Sequence, residues 1–254
     1  MLTTRYVPGA PNWIDLGTPD VEAAAAFYGP LLGWSLRSAG PQAGGYGFFE
    51  LDGKVVAAVG PLTQEGAASA WTPYFRTADA DATAKAVEQA GGTVRVAPDD
   101  VFDKGRMAGF TDPAGAEFAV WQPGAITGLD LVTENGSLAW LELYVPQNDV
   151  VRSFYQTVLG WKIQDISFGD MPYLLLSTPG DDSQDLGGVM GLQEGDRPHW
   201  LSYFEVADCD AAVDRVRELG GDIVAPAADI EGVGRFAVAA DPFGARFAVI
   251  ASVG

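Results

Sequence analysis

Imidazole and thiol are almost absent from this sequence. Its 254 residues hold one histidine, His199, and one cysteine, Cys209. Zinc, iron and nickel sites usually draw on several imidazoles or thiolates, so a conventional transition-metal centre lacks its donors here. Ser-His-Asp or Cys-His chemistry could run only through His199. A lone cysteine excludes an internal disulfide framework and suits a reducing cytoplasm. Positive charge is scarce too: 15 Lys and Arg against 34 Asp and Glu leave a formal net charge of −19. Such a surface repels phosphate backbones and anionic membranes, so nucleic acid and membrane are not expected partners. The acidity itself reads as solubility. No apolar run approaches the ~20 residues of a membrane span, and the stretch from Met1 to Pro8 lacks the apolar centre of a signal peptide. The expectation is a soluble, cytoplasmic protein.

What the chain has instead is repetition. Trp13-Ile14-Asp15-Leu16 returns as Trp140-Leu141-Glu142-Leu143, and Phe27-Tyr28…Gly33-Trp34 returns as Phe154-Tyr155…Gly160-Trp161, at a constant offset of 127 (142 − 15 and 161 − 34). Further on the offset is 129 (235 − 106 and 241 − 112), matching Tyr74-Phe75 with Tyr203-Phe204, Gly91-Gly92 with Gly220-Gly221, and Asp112-Pro113-Ala114-Gly115 with Asp241-Pro242-Phe243-Gly244. The two copies define domains at 1–122 and 137–254, with 123–136 as a linker marked by Pro123-Gly124 and Asn135-Gly136.

Each copy alternates strand and helix periodicities. Trp13 to Gly17 reads as a strand, and Val21, Ala24, Ala25, Tyr28, Leu31 and Leu32 keep helical spacing until Gly33. Asp52-Gly53 turns a hairpin between Tyr46–Leu51 and Val55–Val59. The order then restarts with a strand from Thr72, a helix ending at Gly91-Gly92, and strands near Thr93, Arg106 and Glu117. Each half is therefore two βαβββ units, and the fold class is α+β with four such modules. Within the first strand of each half, an aromatic and an acid two residues apart share one face.

With its Phe-Tyr…Leu-Gly-Trp helices and its Asp-Pro-x-Gly hairpins, this order resembles the vicinal-oxygen-chelate superfamily, which includes glyoxalase I, bleomycin-resistance proteins and extradiol dioxygenases. The tandem arrangement is similar to two-domain bacterial members, and the resemblance covers residues 10–251. It implies two glyoxalase-like domains whose mixed sheets curl into cups. In metal-dependent members each cup takes four ligands from set strand positions. By this resemblance those positions fall at Trp13, Trp140, Pro73, Ser202, Ala119, Ala248, Glu50 and an apolar counterpart in Tyr173-Leu174-Leu175-Leu176. Only Glu50 among them is a plausible donor, so no metal and no cofactor are expected.

The same places, filled by Trp, Pro and Ala, imply an apolar cavity suited to a flat organic ligand. With module one paired to module four, as in many relatives, one cup would join Trp13, Asp15, Phe48 and Glu50 with Trp200, Ser202 and Arg246. The other would join Trp140, Glu142 and Tyr144 with Trp71, Pro73 and Trp121. Trp34 and Trp161 belong to the core, Asp112 and Asp241 to structural turns, and His199 to the rim or surface. Asp15 and Glu142 are the candidate acid–base groups, because a carboxylate on an apolar strand must be exposed, paired or functional. Arg106, Arg235 and Arg246 are their candidate partners. The expected function is metal-independent binding of a hydrophobic or aromatic small molecule, in antibiotic or natural-product resistance, sequestration or processing. The rival is a metal-free lyase, isomerase, cyclase or hydrolase using Asp15 or Glu142, and a metal-dependent glyoxalase or dioxygenase comes third. A monomer and a homodimer are both compatible with a chain holding both cups.

Overall fold

Apolar alternation and helical spacing resolve into four successive βαβββ modules in a computed structural model, which describes residues 2–63, 66–146, 148–168, 171–180 and 183–253. Module one is β1 (Pro11–Thr18), α1 (Val21–Leu32), β2 (Ser35–Ser38), β3 (Gly47–Leu51) and β4 (Lys54–Pro61). Module two is β5 (Ala70–Arg76), α2 (Ala80–Gln89), β6 (Thr93–Val101), β7 (Gly105–Thr111) and β8 (Glu117–Pro123). Module three is β9 (Leu138–Val145), α3 (Asn148–Leu159), β10 (Lys162–Phe168), β11 (Met171–Ser177) and β12 (Asp185–Gly191). Module four is β13 (His199–Glu205), α4 (Cys209–Glu218), β14 (Asp222–Ile230), β15 (Gly234–Ala240) and β16 (Arg246–Ser252). The strand that residue pattern does not announce is β2, four mostly exposed residues at a sheet edge.

The strands form two mixed eight-stranded sheets, in the orders β2-β3-β4-β1-β5-β8-β7-β6 and β10-β11-β12-β9-β13-β16-β15-β14. In every module the first strand pairs in parallel with the last, and the strands after the helix pair antiparallel. No helix is long and apolar enough to cross a membrane among the described residues.

Local chemistry sets the element ends. Asp20, Asp79 and Asp208 cap α1, α2 and α4, each accepting the backbone N–H three residues on at 2.9–3.0 Å. Gly33 ends α1 in the left-handed region at φ 79°. The repeated Gly-Gly has two jobs. Gly91 and Gly220 take φ of +87° and +83°, while a Cβ on Gly92 would lie 2.9 Å from the Phe154 ring and one on Gly221 2.9 Å from the Phe27 ring.

The chain divides into two compact units that cut across the sequence halves. One comprises Met1–Trp13, Thr72–Gly128 and Leu141–Trp200, the other Ile14–Trp71, Leu129–Trp140 and Leu201–Gly254. In the first unit α2 packs on α3, over a core that includes Phe75, Phe118, Phe154, Tyr155 and Trp161. Tyr155 donates its hydroxyl to Asp112 Oδ2 at 3.0 Å and accepts from Trp200 Nε1 at 3.1 Å. Asp112 Oδ1 accepts the backbone N–H groups of Ala114, Gly115 and Ala116, closing the β7–β8 turn.

The second unit repeats the device with α1 on α4. Tyr28 donates to Asp241 Oδ2 at 3.2 Å and accepts from Trp71 Nε1 at 3.0 Å, with Trp34, Phe49, Phe204 and Phe247 around it. Burial raises both aspartyl carboxyls above their ordinary range, against the pull of the backbone donors, and it pushes both tyrosine phenols well up. Asp112 and Asp241 are thus turn residues that also clasp a helix.

Candidate functional site

Strand alternation separates a helix-packed face from a helix-free face. On β9, Leu141, Leu143 and Val145 are fully buried on one face, while Trp140, Glu142 and Tyr144 alternate onto the other. Glu142 is itself only 4% exposed and accepts the Tyr173 hydroxyl at 3.3 Å. Strand β12 runs beside it with Gly188 opposite Glu142. A Cβ on Gly188 would overlap the Tyr173 hydroxyl and lie 2.7 Å from Glu142 Oε1, so the pair occupies space that only glycine leaves.

The second unit holds the counterpart. Asp15, half-buried on β1, accepts the Tyr46 hydroxyl at 3.1 Å. Tyr46 and Tyr173 are 127 residues apart (173 − 46), the offset of Asp15 and Glu142. The acid–tyrosine pair is a repeated unit, and neither tyrosine was singled out from sequence. Their shared offset was the signal available.

Two of the three arginines expected to pair with these acids are engaged elsewhere. Arg106 is held by Asp81 and Asp100, and Arg235 by Asp210 and Asp229, in matching surface clusters. Arg246 is exposed at the start of β16. Glu50 is ion-paired with Arg37, whose guanidinium sits 4.6 Å from the Phe48 ring centroid, so Phe48 and Glu50 form one cluster with a cation.

The tryptophans sort by face. Trp13 and Trp121, expected in different cups, stack with centroids 6.5 Å apart at 22°. Trp121 is anchored by its Nε1–H to the Ile126 carbonyl at 2.9 Å. Trp140 is half-buried on β9. Trp71 and Trp200 are corrections: each turns its indole N–H to a helix tyrosine and lies in core. Register explains the error. Tyr74 pairs with Ala119 and Arg76 with Trp121, so Thr72, Tyr74 and Arg76 share the face of Trp121, and Trp71 and Pro73 take the other. Ser202, fully buried with the parity of Trp200 and Phe204, is likewise a core residue rather than a lining one.

The donor set does not fit a transition metal. Shifting the second ligand place by one residue substitutes Thr72 and Leu201 for Pro73 and Ser202; Trp13, Trp140, Ala119 and Ala248 offer no donor, the Tyr173–Leu176 place is apolar, and Glu50, the one carboxylate of the set, is ion-paired with Arg37. Among the described residues no three His, Cys, Asp or Glu side chains gather as metal ligands.

The sole histidine is on the helix-free face too. His199 lies parallel to Tyr144, ring centroids 5.1 Å apart at 9°, and its Nδ1 is 2.8 Å from the Arg197 carbonyl oxygen.

Comparison with known proteins extends these observations. A family model for the Glyoxalase/Bleomycin resistance protein/Dioxygenase superfamily matches residues 10–120 and 137–249. The anthracycline biosynthesis protein DnrV of Streptomyces peucetius is 44% identical, over 97% of this chain and 94% of that protein. The anthracycline biosynthesis protein DauV of Streptomyces sp. (strain C5) is 43% identical over the same shares. Among solved structures, the Mn(II)-bound glyoxalase from Novosphingobium aromaticivorans superposes with a TM-score of 0.66 at 19% identity, covering 98% of this chain and 84% of that one. At that identity the likeness is one of fold.

Proposed function

The chain belongs to the glyoxalase/bleomycin resistance protein/dioxygenase superfamily, and from that premise we propose that it binds a flat aromatic small molecule without a metal, in the handling of a natural product. The observation that carries this reading is the acid–tyrosine pair, repeated on the helix-free faces where the superfamily's metal-dependent members would need chelating side chains. An enclosed carboxylate bonded to a phenol, with tryptophan and tyrosine on the same strand, is the composition of a small-molecule site: apolar area for affinity and few polar groups for orientation. Two relatives at over 40% identity are named for anthracycline biosynthesis, and an anthracycline carries a flat fused aromatic system.

The test is tryptophan fluorescence titrated with aromatic natural products, together with elemental analysis of the purified protein. Saturable quenching with no stoichiometric metal is expected. A flat titration, or a response unchanged in both Trp13→Ala and Trp140→Ala, overturns the reading.

A second reading, a metal-free enzyme, is favoured by one feature: Glu142 and Tyr173 can each hold or release a proton, and they share one hydrogen bond. Turnover of the bound molecule that disappears in Glu142→Gln and Tyr173→Phe, with binding retained, would establish it. Full turnover in both variants, and in Asp15→Asn, would remove it.

A further inference from the structure

His199 takes no part in the reading above, yet its ring is tightly specified. A carbonyl oxygen only accepts, so the 2.8 Å contact from Nδ1 to the Arg197 oxygen places the proton on Nδ1. With Nδ1 carrying the proton, Nε2 is the acceptor of the uncharged ring. Stacking on Tyr144 at 5.1 Å and 9° fixes the plane in which that lone pair points. Tyr144 and Glu142 are two residues apart on β9, which places them on one face about 7 Å apart along the strand. The His199–Tyr144 stack and the Glu142–Tyr173 pair therefore share one face within one compact unit.

The first half has no such stack. Its positions equivalent to Tyr144 and His199 are Gly17 (144 − 127) and Ala70 (199 − 129), which have neither a ring to stack nor a side-chain acceptor. Leu62 crowds Gly17 instead, 3.1 Å from where a Cβ would stand. The halves share the acid–tyrosine pair and diverge at the oriented imidazole.

We propose that the helix-free face of β9 binds a fused aromatic bearing a phenolic hydroxyl, which donates its hydrogen bond to His199 Nε2 while Tyr144 holds the imidazole in plane. The inference rests on the aromatic-ligand reading and names the group by which that ligand is selected.

One histidine gives one set of imidazole resonances, so long-range ¹H–¹⁵N spectra of the full chain read this site directly. The probes are 2-hydroxyanthraquinone and 2-methoxyanthraquinone. The free protein should show the Nδ1–H tautomer. The hydroxy compound should shift the Nε2 resonance, and the methoxy compound should leave it in place. His199→Phe, which keeps a ring against Tyr144, should weaken the hydroxy compound about tenfold, the scale of one lost hydrogen bond, and leave the methoxy compound within about twofold. Tryptophan quenching by the hydroxy compound with an unmoved Nε2, or equal binding of the two compounds by wild type, overturns this inference while the aromatic-ligand reading stands. Binding of neither compound overturns the inference; a flat titration across the wider aromatic panel would remove the parent reading as well.

Discussion

Tyr155 on α3 donates its hydroxyl to Asp112 in the β7–β8 turn at 3.0 Å, joining modules that lie in different halves of the sequence. Tyr28 and Asp241 make the same bond between modules one and four. Each tyrosine also accepts an indole N–H, so its removal leaves both Asp Oδ2 and Trp Nε1 short of a partner. Tyr155→Phe is expected to cost about 1–3 kcal/mol, read as a lower urea midpoint at unchanged slope. Tyr28→Phe should do the same in its own unit. Wild-type midpoints in both variants would show the clasp to be dispensable.

The clasp titrates. Burial raises the Asp112 and Asp241 carboxyls above the ordinary 3.8. Above that pH the unfolded chain has released these protons while the folded chain still holds them, so ionisation favours the unfolded state. Stability from these groups is greatest at the acid end of the window and declines as pH rises through the folded-state values. Asp81, held below 3.8 by its hydrogen bond to Arg106, acts in the opposite sense and on the other side of that window. The stability of wild type relative to Asp112→Asn should therefore fall as pH rises above about 4 and level off once the folded-state carboxyl has ionised. Urea midpoints for both proteins across that range decide it, and parallel curves would refute it.

Gly188 should be intolerant of a single methyl group. Gly188→Ala drives a Cβ into the Tyr173 hydroxyl and toward Glu142, and a cost of about 1–3 kcal/mol is expected for overpacking. Ligand-induced fluorescence change should be lost with it. Gly191→Ala, three residues along where a Cβ meets nothing within 4 Å, is the control and should stay within about 0.5 kcal/mol of wild type. Equal behaviour of the two variants would count against a shaped site at Gly188.

The tryptophans should separate by function as they do by face. Trp71→Phe removes a buried indole and its bond to Tyr28, and should lose about 1–3 kcal/mol with aromatic binding unchanged. Trp140→Ala, at a half-buried position on β9, should reverse that pattern, with weaker binding and a smaller loss of stability. Isothermal titration beside urea melts of both variants would expose a wrong assignment of faces.

Most of the architecture could be read along the chain. Val21, Ala24, Tyr28 and Leu32 mark α1, Asp52-Gly53 its hairpin, and the two Asp-Pro-x-Gly turns the last strand of modules two and four, because each depends on neighbours a few residues away. Strand β2 is not legible, since four mostly exposed residues at a sheet edge carry no alternation. The site was less legible. Asp15 and Glu142 stood out as acids on apolar strands, but Tyr46 and Tyr173 looked like ordinary strand aromatics until a hydrogen bond tied them to those acids.

By itself, then, the sequence determined the module order, the repeat, and the poverty of metal donors, all properties of composition and short-range periodicity. Only the tertiary structure decided which face of a strand each side chain takes. Sequence pattern places β5 to within one residue, and with a period of two that one residue moves Trp71 from site to core. Only the tertiary structure, too, set Tyr144 against His199 and gave the lone imidazole a direction, since the two residues lie on different strands and neither predicts the other.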